Sequence, residues 1–172
     1  MANLYLVGFM GAGKTVTGRV VAGRLGRAFV DLDEAVEARF GLPVREIFRR
    51  QGEGAFREAE TAELERAAAQ TALVVAIGGG AFSSSENRRL MRESGGVTVF
   101  LDPPWAAIQR RLGGADPSRP KWVDDERARS LFEARRPGYR KASVHLELTG
   151  EETPEAIADR VLAALPETVC AP

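Results

Sequence analysis

A glycine-rich segment near the start of the chain has the spacing of a phosphate-binding loop. Residues 8–15 are Gly-Phe-Met-Gly-Ala-Gly-Lys-Thr, which matches the pattern G-x-x-x-x-G-K-[ST]. Glycines let the backbone turn tightly and direct N–H groups toward phosphate oxygens, while Lys14 would add a positive charge and Thr15 a hydroxyl ligand for Mg²⁺. The alternative is a glycine-rich turn with a chance lysine. An apolar segment at residues 4–7 and a helical pattern at residues 14–25 flank the motif, and this context favours nucleotide binding.

Two aspartates and three consecutive glycines follow two further apolar segments. Asp31 and Asp33 come after residues 28–30, and the glycines at 78–80 come after residues 73–77. The carboxyl ends of parallel strands face the ligand crevice of an open sheet, so both groups are candidates for ligand contacts. The aspartates could serve Mg²⁺ and a substrate hydroxyl, or they could cap and begin a helix. The glycines would let a ligand approach bare backbone, or they would only form a flexible turn.

Three arginines could neutralise a negatively charged substrate. Arg57 lies three residues before Glu60 on one face of a predicted helix, a spacing that alone favours an ordinary surface ion pair. Arg119 lies in an irregular segment rich in glycine and proline, residues 113–123, which we expect to form a mobile lid. Arg135 lies near the end of a charged helical segment. Arginines that close on a transferring phosphoryl group stabilise its charge, whereas most surface arginines are only solvated.

Short apolar segments alternate with longer helical patterns along the whole chain. Continuous apolar segments are typical of strands covered on both faces, and their alternation with helices predicts a parallel sheet in an α/β fold. No repeat or linker divides the sequence, so residues 1–172 are predicted to form a single domain. The predicted strands are residues 4–7, 28–30, 73–77, 97–101 and 144–148, and the predicted helices are residues 14–25, 53–70, 86–93, 105–112, 124–136 and 154–165.

Composition argues against several classes of partner. Lys plus Arg and Asp plus Glu number 24 each, so there is no bulk positive charge to attract nucleic acid or a membrane surface. No apolar segment approaches the roughly 18 residues that a membrane span requires, and no signal peptide is recognisable at the N-terminus. One cysteine and one histidine supply neither an intrachain disulfide nor a zinc ligand set. We therefore expect a cytoplasmic protein, and nothing in the sequence requires more than a monomer.

The complete set of motifs resembles the shikimate kinase family, in the family's order and over nearly the whole chain. The phosphate-binding loop is common to many kinases, but its combination with five further motifs is specific. They are Asp31-x-Asp33, Gly-Glu-x-x-Phe-Arg-x-x-Glu at residues 52–60, the triple glycine, Arg119-Pro120, and Arg135-x-Pro137-x-Tyr139. The resemblance implies ATP- and Mg²⁺-dependent phosphorylation of shikimate to shikimate 3-phosphate, a step toward chorismate and the aromatic amino acids. It also implies a three-layer fold with sheet order 2-3-1-4-5, and a substrate-binding helical region at about residues 33–61.

The resemblance further implies a role for each matching residue. Arg57 and Arg135 would bind the substrate carboxylate, a pairing that suits the planar guanidinium group. The catalytic residues would be Asp33 as the base, Lys14 and Arg119, and the magnesium contacts would be Thr15 directly and Asp31 through water. Other substrate contacts would come from Asp33, Phe48, Phe56, Glu60, Gly78, Gly79 and Gly80. ATP would be bound by Gly11, Ala12, Gly13, Lys14, Thr15, Val16, Arg111, Arg119 and Pro154.

Two departures from the family pattern bear on this site. Many members have Thr or Ser just before the triple glycine, where this chain has Ala76 and Ile77 and so lacks a hydroxyl to hold magnesium's water. The lid sequence at residues 119–122 is Arg-Pro-Lys-Trp, where two apolar residues usually follow Arg-Pro. Two alternatives stay open. One is another small-molecule kinase, such as gluconate kinase, which would need no paired arginines beside Asp33, and the other is a non-catalytic nucleotide-binding protein.

Overall fold

The computed structural model describes residues 1–113, 125–166 and 169, and its strands and helices alternate as predicted. The strands are β1 (Leu4–Val7), β2 (Ala28–Asp31), β3 (Leu73–Ala76), β4 (Val97–Asp102) and β5 (Val144–Glu147). The helices are α1 (Lys14–Leu25), α2 (Leu32–Phe40), α3 (Val44–Ala68), α4 (Ser85–Glu93), α5 (Trp105–Leu112), α6 (Asp125–Tyr139) and α7 (Pro154–Ala164), with a short 3-10 turn at Ala81–Ser83. Within these residues no helix combines the length and the hydropathy needed to cross a membrane.

The five strands form one parallel sheet in the order β2-β3-β1-β4-β5, which confirms the expected topology. The central strand, β1, is fully buried along its length. Because successive side chains of a strand point to opposite faces, Tyr5 and Val7 pack into one apolar core, whereas Leu4 and Leu6 pack into the other. Residues of α3, α4, α5 and α6 complete the first core and residues of α1 and α7 the second, so helices cover both faces of the sheet.

The strand order brings the chemical motifs to one edge of the sheet. β1 leads into residues 8–15, β2 ends at Asp31, and β3 is followed by the glycines at 78–80. These three strands are neighbours, and parallel strands direct their carboxyl ends to the same edge. The three motifs, separated by many residues in the chain, therefore meet in space.

The helical region predicted at about residues 33–61 consists of two helices, α2 and α3. The expected helix at residues 53–70 is longer than predicted, since α3 begins at Val44 and bends at Gly52. Gly52 has φ 82° and ψ 169°, a backbone conformation that side-chain-bearing residues rarely adopt. The two halves of α3, before and after Gly52, therefore run in different directions. A separate apolar cluster holds α2 against α3 and consists of Val36, Ile47, Phe56 and Ala59.

A buried hydroxyl in α1 gives a stability prediction. Thr17 is fully buried, and its Oγ1 makes no hydrogen bond within the described residues. A buried polar group without a partner costs about 1–3 kcal/mol. We expect Thr17→Val, which keeps the shape and removes the hydroxyl, to raise the free energy of unfolding by about 1 kcal/mol in urea titrations. Thr61→Val is the matched control. The Thr61 hydroxyl donates to Asn87 Oδ1 at 3.1 Å, so removal of this hydroxyl should lower the free energy of unfolding. If Thr17→Val instead lowers the free energy of unfolding, the Thr17 hydroxyl has a hydrogen-bond partner and the prediction is wrong.

Candidate active site

The loop between β1 and α1 has the backbone that phosphate binding requires. Gly11 and Gly13 have φ of 76° and 93°, in the left-handed region that favours glycine, and Gly13 directly precedes α1. The N-terminus of α1 therefore faces the loop, where its dipole favours an anion. Lys14 Nζ donates to the carbonyl oxygens of Gly8 (2.9 Å) and Phe9 (3.0 Å), which keeps the ammonium group over the loop.

Asp31, the last residue of β2, and Asp33, in the first turn of α2, have different structural roles. Asp31 caps α2, because its Oδ1 accepts the N–H of Asp33 at 3.0 Å, and its Oδ2 accepts the Thr15 hydroxyl at 2.6 Å. The Asp31 carboxylate therefore ties the start of α2 to the phosphate-binding loop. Asp33 lies in the first turn of α2, so the pair does cap and begin a helix, with Asp31 and not Asp33 as the cap.

Arg57 and Glu60 form a pair that is more buried than their spacing suggests. Arg57 Nη1 donates to Glu60 Oε2 at 2.6 Å, and the Glu60 side chain is only 1% exposed. Burial raises the pKa of the Glu60 carboxyl, Arg57 opposes this effect, and the nearby Asp33 carboxylate adds to it. The spacing alone favoured an ordinary surface ion pair between Arg57 and Glu60, and that prediction is wrong because Glu60 is buried. Glu60 instead fixes the Arg57 guanidinium at the wall of a pocket.

Two of the three glycines after β3, Gly78 and Gly80, are required because functional side chains lie directly against them. A Cβ at position 78 would lie 2.8 Å from Asp33 Oδ1, and a Cβ at position 80 would overlap a guanidinium group. Each glycine thus has its own neighbours: Gly78 contacts Glu60 and Asp33, Gly79 contacts Arg135 and Tyr139, and Gly80 contacts Arg57. The glycines therefore do more than form a flexible turn, since they let these side chains converge.

The last turn of α6 contributes two residues to the same place. Arg135 and Tyr139 are four residues apart and share a helix face. The Tyr139 hydroxyl donates to the Gly79 carbonyl oxygen at 2.5 Å. Burial raises the pKa of Tyr139 to about 12, so the phenol remains a donor at neutral pH. Tyr139 had no role assigned from the sequence, although its position four residues after Arg135 was a signal for one.

These residues line two adjoining cavities. The large cleft, of about 490 Å³, lies over the phosphate-binding loop and is lined by Gly11, Gly13, Lys14, Thr15, Val16, Asp31, Asp33, Glu34, Glu37, Val44, Ala76, Ile77, Gly78, Arg111 and Leu112. The small pocket is lined by Met10, Lys14, Asp33, Val44, Phe48, Phe56, Arg57, Glu60, Gly79, Gly80 and Arg135. Lys14, Asp33 and Val44 line both, so they mark the junction. Sequence reasoning missed Val44, Glu34 and Glu37, all of which belong to the helices after β2.

Arg111 connects the large cleft to the loop that follows β5. Its guanidinium donates to the carbonyl oxygens of Gly11 (3.1 Å) and Gly150 (3.2 Å). The Glu152 carboxylate holds this loop by accepting the N–H groups of Thr149 and Gly150, both at 2.8 Å. Burial alone would raise the pKa of Glu152, but these donors lower it to about 2. Pro154, the first residue of α7, does not line the large cleft in the described structure.

Three features that the sequence analysis singled out add no polar side chain to the described cavities. Ala12 is fully buried and lines neither cavity. Ala76 and Ile77 give the large cleft an apolar wall, and neither residue supplies a hydroxyl to it. Arg119, with nearly all of the predicted lid at residues 113–123, lies outside the described residues.

Known proteins are similar to this chain in both sequence and fold. A family model described as shikimate kinase matches residues 10–166. The shikimate kinase of Thermosynechococcus vestitus is 44% identical over 96% of this chain and 90% of its own length, and that of Persephonella marina is 37% identical over 96% and 99%. The solved shikimate kinase from Acinetobacter baumannii in complex with shikimate is 36% identical, covers 94% of this chain and 91% of its own, and has a TM-score of 0.89. The motifs, their arrangement and these similarities together show that the chain belongs to the shikimate kinase family.

Proposed function

We propose that this chain transfers the γ-phosphoryl group of ATP to the 3-hydroxyl of shikimate, with Mg²⁺ as the metal ion. The observation that carries the proposal is the junction of the two cavities, where Lys14 and Asp33 line both. Phosphates bound by the N–H groups of residues 8–15 in the large cleft would lie beside a ring held in the small pocket. Phosphoryl transfer depends mainly on positioning and on charge stabilisation, and such a junction supplies both.

Asp33 is proposed as the base for the attacking hydroxyl. The shikimate oxygen forms a bond to the γ-phosphorus while the bond from phosphorus to the β,γ-bridging oxygen breaks, and ADP leaves with that electron pair. The hydroxyl proton passes to the Asp33 carboxylate. Lys14 stabilises negative charge on the phosphate oxygens, and Arg119 is proposed from the sequence to do the same.

Thr15 and Asp31 fit the requirements of a magnesium ion bound with ATP. Mg²⁺ prefers oxygen ligands and keeps several waters, and it usually takes only one or two protein groups beside the substrate phosphates. Thr15 Oγ1 and Asp31 Oδ2 lie 2.6 Å apart at the edge of the large cleft. We propose that Thr15 binds the ion directly and Asp31 through water. Within the described residues, no group of three or more His, Cys, Asp or Glu side chains is arranged to hold a metal ion.

The small pocket suits a carboxylate attached to a carbon ring. Arg57 and Arg135 line it from α3 and α6, and two guanidinium groups can bind one carboxylate with several charge-assisted hydrogen bonds. Phe48 and Phe56, with ring centroids 4.7 Å apart, give the pocket an apolar wall. Gluconate is an open chain with a hydroxyl on each carbon between its ends, so it offers no apolar face to this wall. The pocket therefore favours shikimate over the gluconate alternative.

Removal of either arginine should weaken shikimate binding far more than ATP binding. Arg57→Ala and Arg135→Ala each remove a charged partner of the carboxylate, worth roughly 1.5–3 kcal/mol, or about one to two decades in KM for shikimate. The KM for ATP should change little. Steady-state kinetics with each substrate varied in turn measures both.

Two controls sharpen this test. Arg49→Ala removes an arginine of the same helix that pairs with Glu46 at the surface, and it should leave both KM values unchanged. Shikimate methyl ester, which lacks the charge, should be a poor substrate of the unmodified protein and should discriminate little between it and the arginine variants. Equal effects of Arg57→Ala on both KM values would mean that Arg57 is structural and that the carboxylate is bound elsewhere.

We also propose that the chain acts as a monomer. The described residues to which the mechanism assigns a role already meet in the two cavities, and none of the proposed steps calls for a group from a second copy. Light scattering at assay concentration gives the mass in solution, and a dimer that dissociates with loss of activity would contradict the proposal.

A further inference from the structure

A buried carboxylate outside both cavities has no role in the mechanism described above. Asp102 is the last residue of β4, and its side chain is fully buried. Its Oδ1 accepts Arg136 Nε and its Oδ2 accepts Arg136 Nη2, both at 2.9 Å, in the two-pronged arrangement that a guanidinium group favours. His145 Nε2 of β5 lies 2.8 Å from the same Oδ2. Because Asp102 is buried and contacts both Arg136 and His145, loss of its charge would leave these contacts uncompensated, and the carboxylate therefore holds the Arg136 guanidinium in place.

The group that Asp102 holds is the last turn of α6, which carries part of the substrate pocket. Arg136 is adjacent to Arg135 in the chain, but the two side chains leave the helix about 100° apart. Pro137 follows in the same turn and has no N–H to donate within the helix. Contacts with the surroundings therefore help to fix this turn, and they include the Asp102 pair on one side and the bond from Tyr139 to the Gly79 carbonyl on the other.

We propose that Asp102 is a positioning residue for recognition of the substrate carboxylate. By holding Arg136 it fixes the rotation of the last turn of α6, and this directs Arg135 into the small pocket beside Gly79. Asp102 itself does not line either cavity in the described structure, so it acts through Arg136 and Arg135. The inference rests on the proposed function, because it assigns the substrate that Arg135 binds.

Asp102→Asn tests the inference, because it keeps the shape of the side chain and removes its charge. We expect the KM for shikimate to rise about tenfold, since small displacements of a binding group have large effects, while the KM for ATP stays within about twofold. In an Arg135→Ala background the same substitution should have no further effect on the shikimate KM, because the group through which it acts is already gone. Arg136→Lys, which keeps the charge and loses the two-pronged contact, should show the same pattern if Asp102→Asn does not fold.

Thr98→Val is the matched control for a loss of stability alone. The Thr98 hydroxyl accepts the N–H of Ser143, which directly precedes β5, at 2.8 Å, and Thr98 lines neither cavity. Thr98→Val should lower the unfolding temperature and leave the shikimate KM unchanged. An unchanged shikimate KM in Asp102→Asn, or equal increases for both substrates, would overturn the inference, as would full additivity with Arg135→Ala. If the unmodified protein does not phosphorylate shikimate at all, the proposed function fails instead.

Discussion

Replacement of Lys14 with alanine is expected to lower turnover by about three orders of magnitude while the protein stays folded. Lys14 Nζ lies over the phosphate-binding loop, held by the Gly8 and Phe9 carbonyl oxygens, and the residue lines both cavities. Its charge is therefore placed where the transferring phosphoryl group would be. The side chain is half-buried and fills no core volume, so the fold should survive its loss. Coupled ADP-release assays and thermal unfolding measure the two effects.

Two further lysine variants separate charge from bulk. Lys14→Met keeps the length of the side chain and loses the ammonium group, so it should be as inactive as Lys14→Ala. Lys141→Ala removes an exposed lysine that lines neither cavity, and it should retain full turnover. A folded Lys14→Ala protein with near-normal turnover would reject the kinase function.

Asp33→Asn is expected to lower kcat by about two to four orders of magnitude with the KM for ATP nearly unchanged. Asparagine keeps the shape of the side chain but can neither accept the proton nor supply the negative charge. The cap of α2 should persist, because Asp31 provides it.

An exposed aspartate supplies the control for this variant. Asp159→Asn, on the surface of α7 in a pair with Arg24, should leave kcat unchanged. If Asp33→Asn keeps most of its turnover, the base must be another group, and Asp33 would then serve only to bind shikimate.

The fold could be predicted largely because its signals are local. β1 and α1 have the bounds that the sequence predicts, since a continuous apolar run precedes the glycine-rich loop and a helical pattern follows it. The sheet order came from the family resemblance, and the structure confirms it. The bend at Gly52 was missed, because a glycine before a helical pattern resembles a helix start and the turns before it were not recognised as helical.

The burial of the site residues could not be predicted in the same way. A spacing of three shows that Arg57 and Glu60 share a helix face, but not that the glycines at 78–80 cover that face. The contact between Asp102, Arg136 and His145 joins three elements that are distant in the chain, and no short motif records it. Such neighbours become visible only when the sheet has placed β4, β5 and α6 side by side.

Analysis of the reaction products shows whether shikimate is the molecule that accepts the phosphoryl group. The unmodified protein is incubated with ATP and Mg²⁺ and with shikimate, gluconate or no acceptor, while ADP is measured and the products are analysed by ³¹P NMR. With shikimate we expect one phosphomonoester per ADP, bonded to the 3-oxygen, and in the other two reactions only background ADP. Equal ADP release with gluconate or without an acceptor, or a phosphate on another oxygen of shikimate, would contradict it.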